Sequence, residues 1–537
     1  MQKYSSKPFL EYLSLLALFG VGGLVLYIRN PAPFVNPIVY TEDGYWLGLA
    51  FSKGWLYTFF NAKEGYLVLG NLILLWIAET GSKVFCGNSL LCLPQSIGMV
   101  SFAFYACIAT FLFAATRDMA SFAVRLLLFA TLLMLPLGDS SNEILGRLSN
   151  VGYMFVLVAV LLVSYRERLK STASVYIADI GLIISAATNP VVVPLTAIYL
   201  SWRFYQSRGR VWRRDLTFFL GLCLVAILIA YRMLSQHHSE ITGVLHLENL
   251  IEVGVARAIL YPLIFPYYTA LSDFSSIVLF FAWLVFVILA IKQSNNQTSV
   301  FIVYNLVALV VYWVLTIAMR QSLTQQLGGY RHTFPDRYFM GLNVIVMVIS
   351  LTGAFSMLRS SKLIVKIGSM SLLTMLAIQY ITHIPWIFET NKTRFPLAFT
   401  LGLTFADQLC ASSKTLTGTK LEEGMVVVQI TEGWWMSIPT PVLLAATEKL
   451  DCQSLKPLNI NDANWNHGVA RSGNGLVLAS YVAGRLLQVG KAIRFADGEI
   501  RHINHVETAG KYINVFLDGT PIDGELVGYP HKIEEVE

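Results

Sequence analysis

The chain has 537 residues, of which 55% are hydrophobic and only 13% charged, with a net charge of +6 at pH 7. Soluble domains carry roughly a quarter of charged residues. The composition therefore excludes an ordinary soluble globular protein and places the chain in the membrane class.

Apolar runs of about 17–25 residues are needed to cross a bilayer as a helix. In chain order they predict about eleven transmembrane helices: 9–28, 95–115, 121–137, 150–165, 174–188, 190–203, 216–234, 276–291, 299–319, 339–358 and 363–382. The pair around Asn189-Pro190 has the shortest members. The first run is long, lacks a small-x-small cleavage site and leads directly into Arg29-Asn30-Pro31, so it reads as a retained anchor. Lys3 and Lys7 precede it, Arg166, Arg168 and Lys170 follow the fourth span, and Arg359, Lys362 and Lys366 follow the tenth. Arg203, Arg208, Arg210, Arg213 and Arg214 follow the sixth. An odd number of spans puts all these clusters on one side, the cytoplasm, with the N-terminus there and the C-terminal region outside. Topology thus accounts for the densest basic stretch, and no nucleic-acid partner is called for.

Three regions differ in texture. The first outward loop, 29–94, is too long for a connector, and loops of that length are usually functional. Within it, Tyr66–Ala78 is apolar but short and reads as an interfacial or re-entrant helix, with Trp46, Trp55, Tyr57, Phe59 and Phe60 at headgroup level. A second large outward loop, 235–275, holds an apolar run broken by Pro262 and Pro266, which reads as a surface-lying segment. From about 384 to 537 the runs shorten and alternate at period two, as in Ala492–Phe495, Asp497-Gly498 and Glu499–Ile503, a hairpin pattern repeated around Tyr512–Gly519. The expected architecture is a polytopic α-helical membrane domain, 1–383, followed by a mainly β extracytoplasmic domain, 384–537.

Cysteine placement agrees with that topology. Cys86 and Cys92 fall in the first outward loop and Cys410 and Cys452 in the outward C-terminal region, fitting disulfides 86–92 and 410–452, with free thiols as the alternative. Cys107 and Cys223 lie inside spans.

A catalytic site needs titratable groups that a substrate can reach, and the outward loops supply three sets. Glu42 and Asp43 are adjacent carboxylates just beyond the first span. In an extended segment only one of them faces a cavity; Asp43, beside Gly44, is the first choice. A solvated loop pair, or an N-cap for a helix after Gly44, is the other reading. Arg331, His332, Asp336, Arg337 and Tyr338 precede the tenth span, and the two arginines suit a phosphate or pyrophosphate, with interfacial snorkelling as the alternative. Asp139, Asn142, Glu143 and Arg147 follow the third span; Asp139 and Glu143 share a face if the segment is helical, suiting substrate hydroxyls or a divalent ion. His237, His238, Glu240 and His246 lack a zinc-type spacing, so no metal or other cofactor is expected. No P-loop or dinucleotide fingerprint supports a cytosolic nucleotide donor.

An acidic pair after the first span, an interfacial helix in that loop and many further spans resemble the GT-C glycosyltransferases. The outward region with Trp465–Arg471 and the Phe495–Gly498 hairpin is similar to that of bacterial and phage O-antigen serotype-converting glucosyltransferases. The resemblance implies a bacterial inner-membrane enzyme with a periplasmic C-terminal domain. It would move a sugar, glucose in that family, from polyprenyl phosphate to a hydroxyl of a lipid-linked O-antigen or other surface glycan, with inversion. It implies Asp43, or Glu42, as the base and Arg331, Arg337 and Tyr338 as ligands of the donor phosphate. Trp434 and Trp435 become sugar-stacking candidates, with core packing as the alternative. The implied partners are membrane lipids, a small flippase and a polyprenyl-phosphate glucosyltransferase. A lipid-linked sugar flippase or transporter, and an O-antigen polymerase or ligase, are the competing readings.

Overall fold

A computed structural model describes residues 7–137, 141–169, 171–207, 213–235, 247–320, 323–324, 329–330, 336–389, 404–414, 424–430, 434–452, 470–472, 475–478, 489–490, 492–494, 500–509, 512–519 and 534–536. Eight described helices are long and apolar enough to cross a membrane: Tyr12–Arg29, Leu93–Ala115, Asp215–Leu234, Leu247–Ala270, Asp273–Gln293, Asn296–Met319, Arg337–Met357 and Leu363–Thr382. Helices suit this composition because every backbone polar group is satisfied within the segment. The Arg337–Met357 segment lies at the centre of the bundle, buried on nearly every side, whereas Tyr12–Arg29 and Leu363–Thr382 keep wide apolar faces exposed. Shorter apolar helices, Phe122–Leu133, Phe155–Arg166 and Thr172–Thr188, fill the interior beside Val192–Gln206. Helix starts are fixed by local capping. Ser272 and Ser275 form a reciprocal capping box, and Asn295 accepts from the Thr298 amide, so two long helices follow one another with little chain between them.

The Leu247–Ala270 segment is apolar enough to cross but does not run straight. It passes from a 3-10 turn into a π-helix, Glu252–Leu260, then past Pro262 and Pro266 into a second 3-10 turn, Phe265–Ala270. The Tyr268 hydroxyl donates to Glu252 Oε1 at 3.0 Å. Sixteen residues of straight α-helix would separate the two by roughly 24 Å, so the segment is bent between them. Buried Arg257 pairs with Glu252 at 3.4 Å, and Asn343 of the central helix donates to the Arg257 and Ala258 carbonyls. The sequence reading made 235–275 an outward loop with a surface-lying run. The described part is instead inserted among the helices, because pairing lets two charges enter an apolar interior.

The first outward loop is largely helical: Ala32–Val35, Thr41–Lys53, Trp55–Asn61 and Leu69–Cys86, joined by short non-helical stretches. The last is 18 residues long, longer than the 66–78 run read as interfacial, and its buried face includes Gly70, Asn71, Leu72 and Leu75. Disulfides join Cys86 to Cys92 and Cys410 to Cys452; Cys107 and Cys223 are free.

The boundary expected at 384 does not separate two packing units. Helix Phe405–Lys414, strands β1 (Met425–Gln429) and β2 (Trp435–Pro439) and helix Thr440–Thr447 share the hydrophobic core of the helical bundle through Phe405, Val428, Met436, Ile438 and Leu443. β1 and β2 pair antiparallel, Val427 opposite Ser437, and lie on the Thr41–Lys53 helix. Glycines permit that approach. A Cβ at Gly48 would lie 2.5 Å from the Ser437 nitrogen, and one at Gly44 would lie 2.3 Å from Ile430 Cδ1. The Gly44-x-x-x-Gly48 stripe thus forms a groove for the ribbon. Six further strands follow: β3 (Ala470–Ser472), β4 (Gly475–Leu478), β5 (Ala492–Arg494), β6 (Ile500–Ala509), β7 (Tyr512–Leu517) and β8 (Glu534–Val536). They form one antiparallel sheet in the order β3-β4-β7-β6-β5-β8. The β5–β6 pairing is that of the expected hairpin, whose tip at 495–499 lies outside the described residues.

Candidate active site

The carboxylate pair opens the Thr41–Lys53 helix. Acidic side chains in a first turn face the positive end of the helix dipole, which favours helix over the extended segment expected there. Successive residues then diverge by about 100° around the helix. Asp43 turns inward and is fully buried, while Glu42 is half-buried and lines a cavity of about 460 Å³. The expectation that Asp43 faces the cavity is corrected: Glu42 does.

Asp43 packs against the loop after the third apolar helix. Its Oδ2 accepts from the Leu148 amide at 3.1 Å, and Oδ1 is a buried acceptor with no partner among the described residues. Burial pushes its carboxyl up to about 7, against the pull of the Leu148 amide and the Arg147 guanidinium; the Glu42 carboxylate pushes in the same direction as burial. Arg147 is held in turn by the Ile38 carbonyl at 3.0 Å and lies over the Tyr40 ring. Asp43 therefore fixes the start of the helix to the 147–149 backbone and so aims its neighbour.

The cavity that Glu42 lines is also lined by cations. Arg337 and Tyr338 come from the turn Asp336–Phe339 that leads into the central helix, Arg320 from the end of the Asn296–Met319 helix, and Lys63 from the first loop. Arg337 Nη1 pairs with Glu143 Oε2 at 2.7 Å and its Nη2 donates to the Tyr338 hydroxyl at 3.3 Å. The Arg320 guanidinium lies 4.0 Å from the centre of the Tyr338 ring, and that of Arg337 lies 5.2 Å from it. No carboxylate among the described residues pairs with Arg320. Tyr66, Tyr153 and Asn189 complete the polar wall. Two guanidinium groups beside one phenol suit a multidentate oxyanion, and a carboxylate lining the same cavity suits a proton acceptor.

The other expected site residues are placed as follows. Glu143 is buried behind the cavity; it accepts from Tyr40 and pairs with Arg337, so it orients the cation and does not face substrate. The side chain of Asp336 is not described, and Arg331, His332 and Asp139 lie outside the described residues. So do His237, His238, Glu240 and His246. Among the described residues no group of three or more His, Cys, Asp or Glu side chains is arranged to hold a metal ion. Sequence reasoning missed Arg320 and Lys63. For Arg320 a signal existed: it ends a span on the side where the lysine–arginine bias makes bases scarce, so its presence there needs a reason. No protein-family model matches the chain, and no curated protein matches it.

Proposed function

We propose that the chain is a GT-C-like membrane glycosyltransferase that moves a sugar, glucose by the resemblance, from polyprenyl phosphate to a hydroxyl of a lipid-linked or surface glycan. The observation that carries this reading is one cavity lined by Glu42 together with Arg320, Arg337 and Tyr338. In the reaction, Glu42 takes the proton of the acceptor hydroxyl as its oxygen attacks the anomeric carbon. The bond from that carbon to the phosphate oxygen breaks, and the polyprenyl phosphate leaves with the electron pair, inverting the centre. Arg320 and Arg337 hold the negative charge that grows on the leaving phosphate. Base assistance of this kind supplies about 10²–10⁴-fold, and fixed cations a comparable share. No chemistry of this scheme requires a nucleotide or a redox group.

We count seven of the long apolar helices with Phe122–Leu133, Phe155–Arg166, Thr172–Thr188 and Val192–Gln206 as eleven crossings, and take the bent Leu247–Ala270 segment as not crossing. On that count the N-terminus is cytoplasmic, the cavity opens on the outer face of a bacterial inner membrane, and the C-terminal strands are periplasmic. The purified chain in nanodiscs, given polyprenyl-phosphate glucose and a lipid-linked polysaccharide, should release polyprenyl phosphate in step with glucosylated product. No release would reject the reading.

One observation favours a second reading. A broken helix carrying a buried Glu252–Arg257 pair resembles the discontinuous helices of transporters for charged substrates. A lipid-linked sugar flippase would move the donor across liposomes without consuming it, so the same assay separates the two.

A further inference from the structure

The β1–β2 ribbon presents aromatic surface that the reaction scheme does not use. Met436 and Ile438 point into the core and are fully buried. The period of two along a strand therefore sends Trp435 to the opposite face, where it remains 50% exposed. Trp434 immediately precedes β2, half-buried, with its carbonyl bound to the Ile430 amide at 2.9 Å. Both indoles meet Tyr45 of the Thr41–Lys53 helix. The ring centres are 5.7 Å apart for Trp434, at 69°, and 6.1 Å apart for Trp435, at 89°. Tyr45 stands three residues after Glu42, so the two lie on neighbouring positions of one helix face, about one turn apart.

We propose that Tyr45, Trp434 and Trp435 form a glycan subsite on which a pyranose ring of the acceptor stacks, one helical turn from Glu42. The inference rests on the sugar-transfer reading and adds to it the class of acceptor: a chain of at least two sugars. The chemistry is specific. One face of many pyranoses carries only axial C–H bonds, which are weakly positive, and an aromatic face is negative. Two aromatic planes at a right angle make an open corner that takes the face of such a ring on one side and its edge on the other. A helical turn is roughly 5 Å, about the length of one sugar unit. A ring seated on Trp435 thus leaves the adjoining unit to bring its hydroxyl to Glu42. Rigidity favours this role over simple surface decoration. The Gly44 and Gly48 contacts lock the ribbon to the same helix that carries the carboxylate, so the corner and the base move as one body.

The test uses full-length protein in nanodiscs on an array of purified bacterial surface polysaccharides, with the transfer assay run in parallel. Wild type should be retained on at least one polysaccharide. Trp435→Ala should bind it about tenfold more weakly, and Trp435→Phe should return to within about threefold. Wild-type-like binding by Trp435→Ala, or no retention of wild type on any polysaccharide, overturns the subsite. Transfer bears on the other reading separately: a wild-type chain that binds glycan through Trp435 but consumes no donor keeps the subsite and loses the transferase.

Discussion

Two charge clusters sit at opposite ends of the same helices, and they are built differently. Gly152 and Tyr153, at the start of one short helix, line the cavity with Arg320, Arg337 and Glu42. At the other end of that helix Arg166 is 1% exposed at its side chain, paired with Asp179 at 2.5 Å and Asp215 at 2.8 Å. Arg203 bridges Asp215 and Glu167, and Tyr199 donates to Glu167. There each cation is matched by carboxylates, and the matching ties four helices together. At the cavity, Arg337 is likewise closed on Glu143 at 2.7 Å, but no carboxylate among the described residues pairs with Arg320. Closed clusters of this kind serve cohesion, whereas a cation left open at a cavity is a candidate for a ligand.

That contrast can be broken in several places. Arg166→Gln strands Asp179, leaves Asp215 only Arg203 at 3.4 Å, and should cost about 3–5 kcal/mol of stability, read as a lowered Tm in detergent, while the transfer rate per folded molecule is unchanged. A lost rate at normal stability would erase the distinction between the two clusters. Next comes Asp43, whose carboxyl is raised on folding from 3.8 to about 7. Between those values the folded state binds more protons than the unfolded state, so this group's contribution to stability falls as pH rises from about 4 to 7. Asp43→Asn removes that loss; its stability relative to wild type should rise between pH 4 and pH 8, by no more than about 4 kcal/mol at 1.36 kcal/mol per unit, read as a Tm difference that grows with pH. A flat difference across that range would show that Asp43 is not the buried acid described.

Gly48→Ala pushes a methyl group into the Ser437 backbone and should cost about 1–3 kcal/mol. Limited proteolysis should then cut the ribbon sooner; unchanged cutting would mean that it is not docked on the helix. Smallest is Arg320→Gln, expected to raise KM for the polyprenyl-phosphate sugar about tenfold, about 1.4 kcal/mol, with KM for acceptor little changed. An equal change in both would remove Arg320 from the phosphate.

Much of the bundle was legible in the sequence because a membrane span is a local property: about twenty apolar residues announce themselves. Leu247–Ala270 was not, since Pro262, Pro266, Glu252 and Arg257 make it read as surface, and only the pairing of Glu252 with Arg257 and Tyr268 explains how it enters the interior. The acidic pair was legible as a charged feature outside the spans, but which carboxylate faces the cavity was not. That choice turns on whether residues 41–53 are extended or helical, and acids at the start of a helix decide for helix. The docking of β2 on Gly44 and Gly48 joins residues nearly four hundred positions apart, and pairings of that range leave little local trace. Arg320 was passed over because it reads as the end of a span.

The central claim is that Glu42, held in place by Asp43, is the group that takes the acceptor's proton. The direct measurement is single-turnover sugar transfer from polyprenyl phosphate by wild type, Glu42→Gln and Asp43→Asn, each shown to be folded by its Tm. Glu42→Gln should lose about 10²–10⁴-fold in rate with donor binding intact, and Asp43→Asn should keep its rate within about tenfold. Near-normal transfer by Glu42→Gln, with Asp43→Asn inactive, would contradict the account and return the proton to the buried carboxyl.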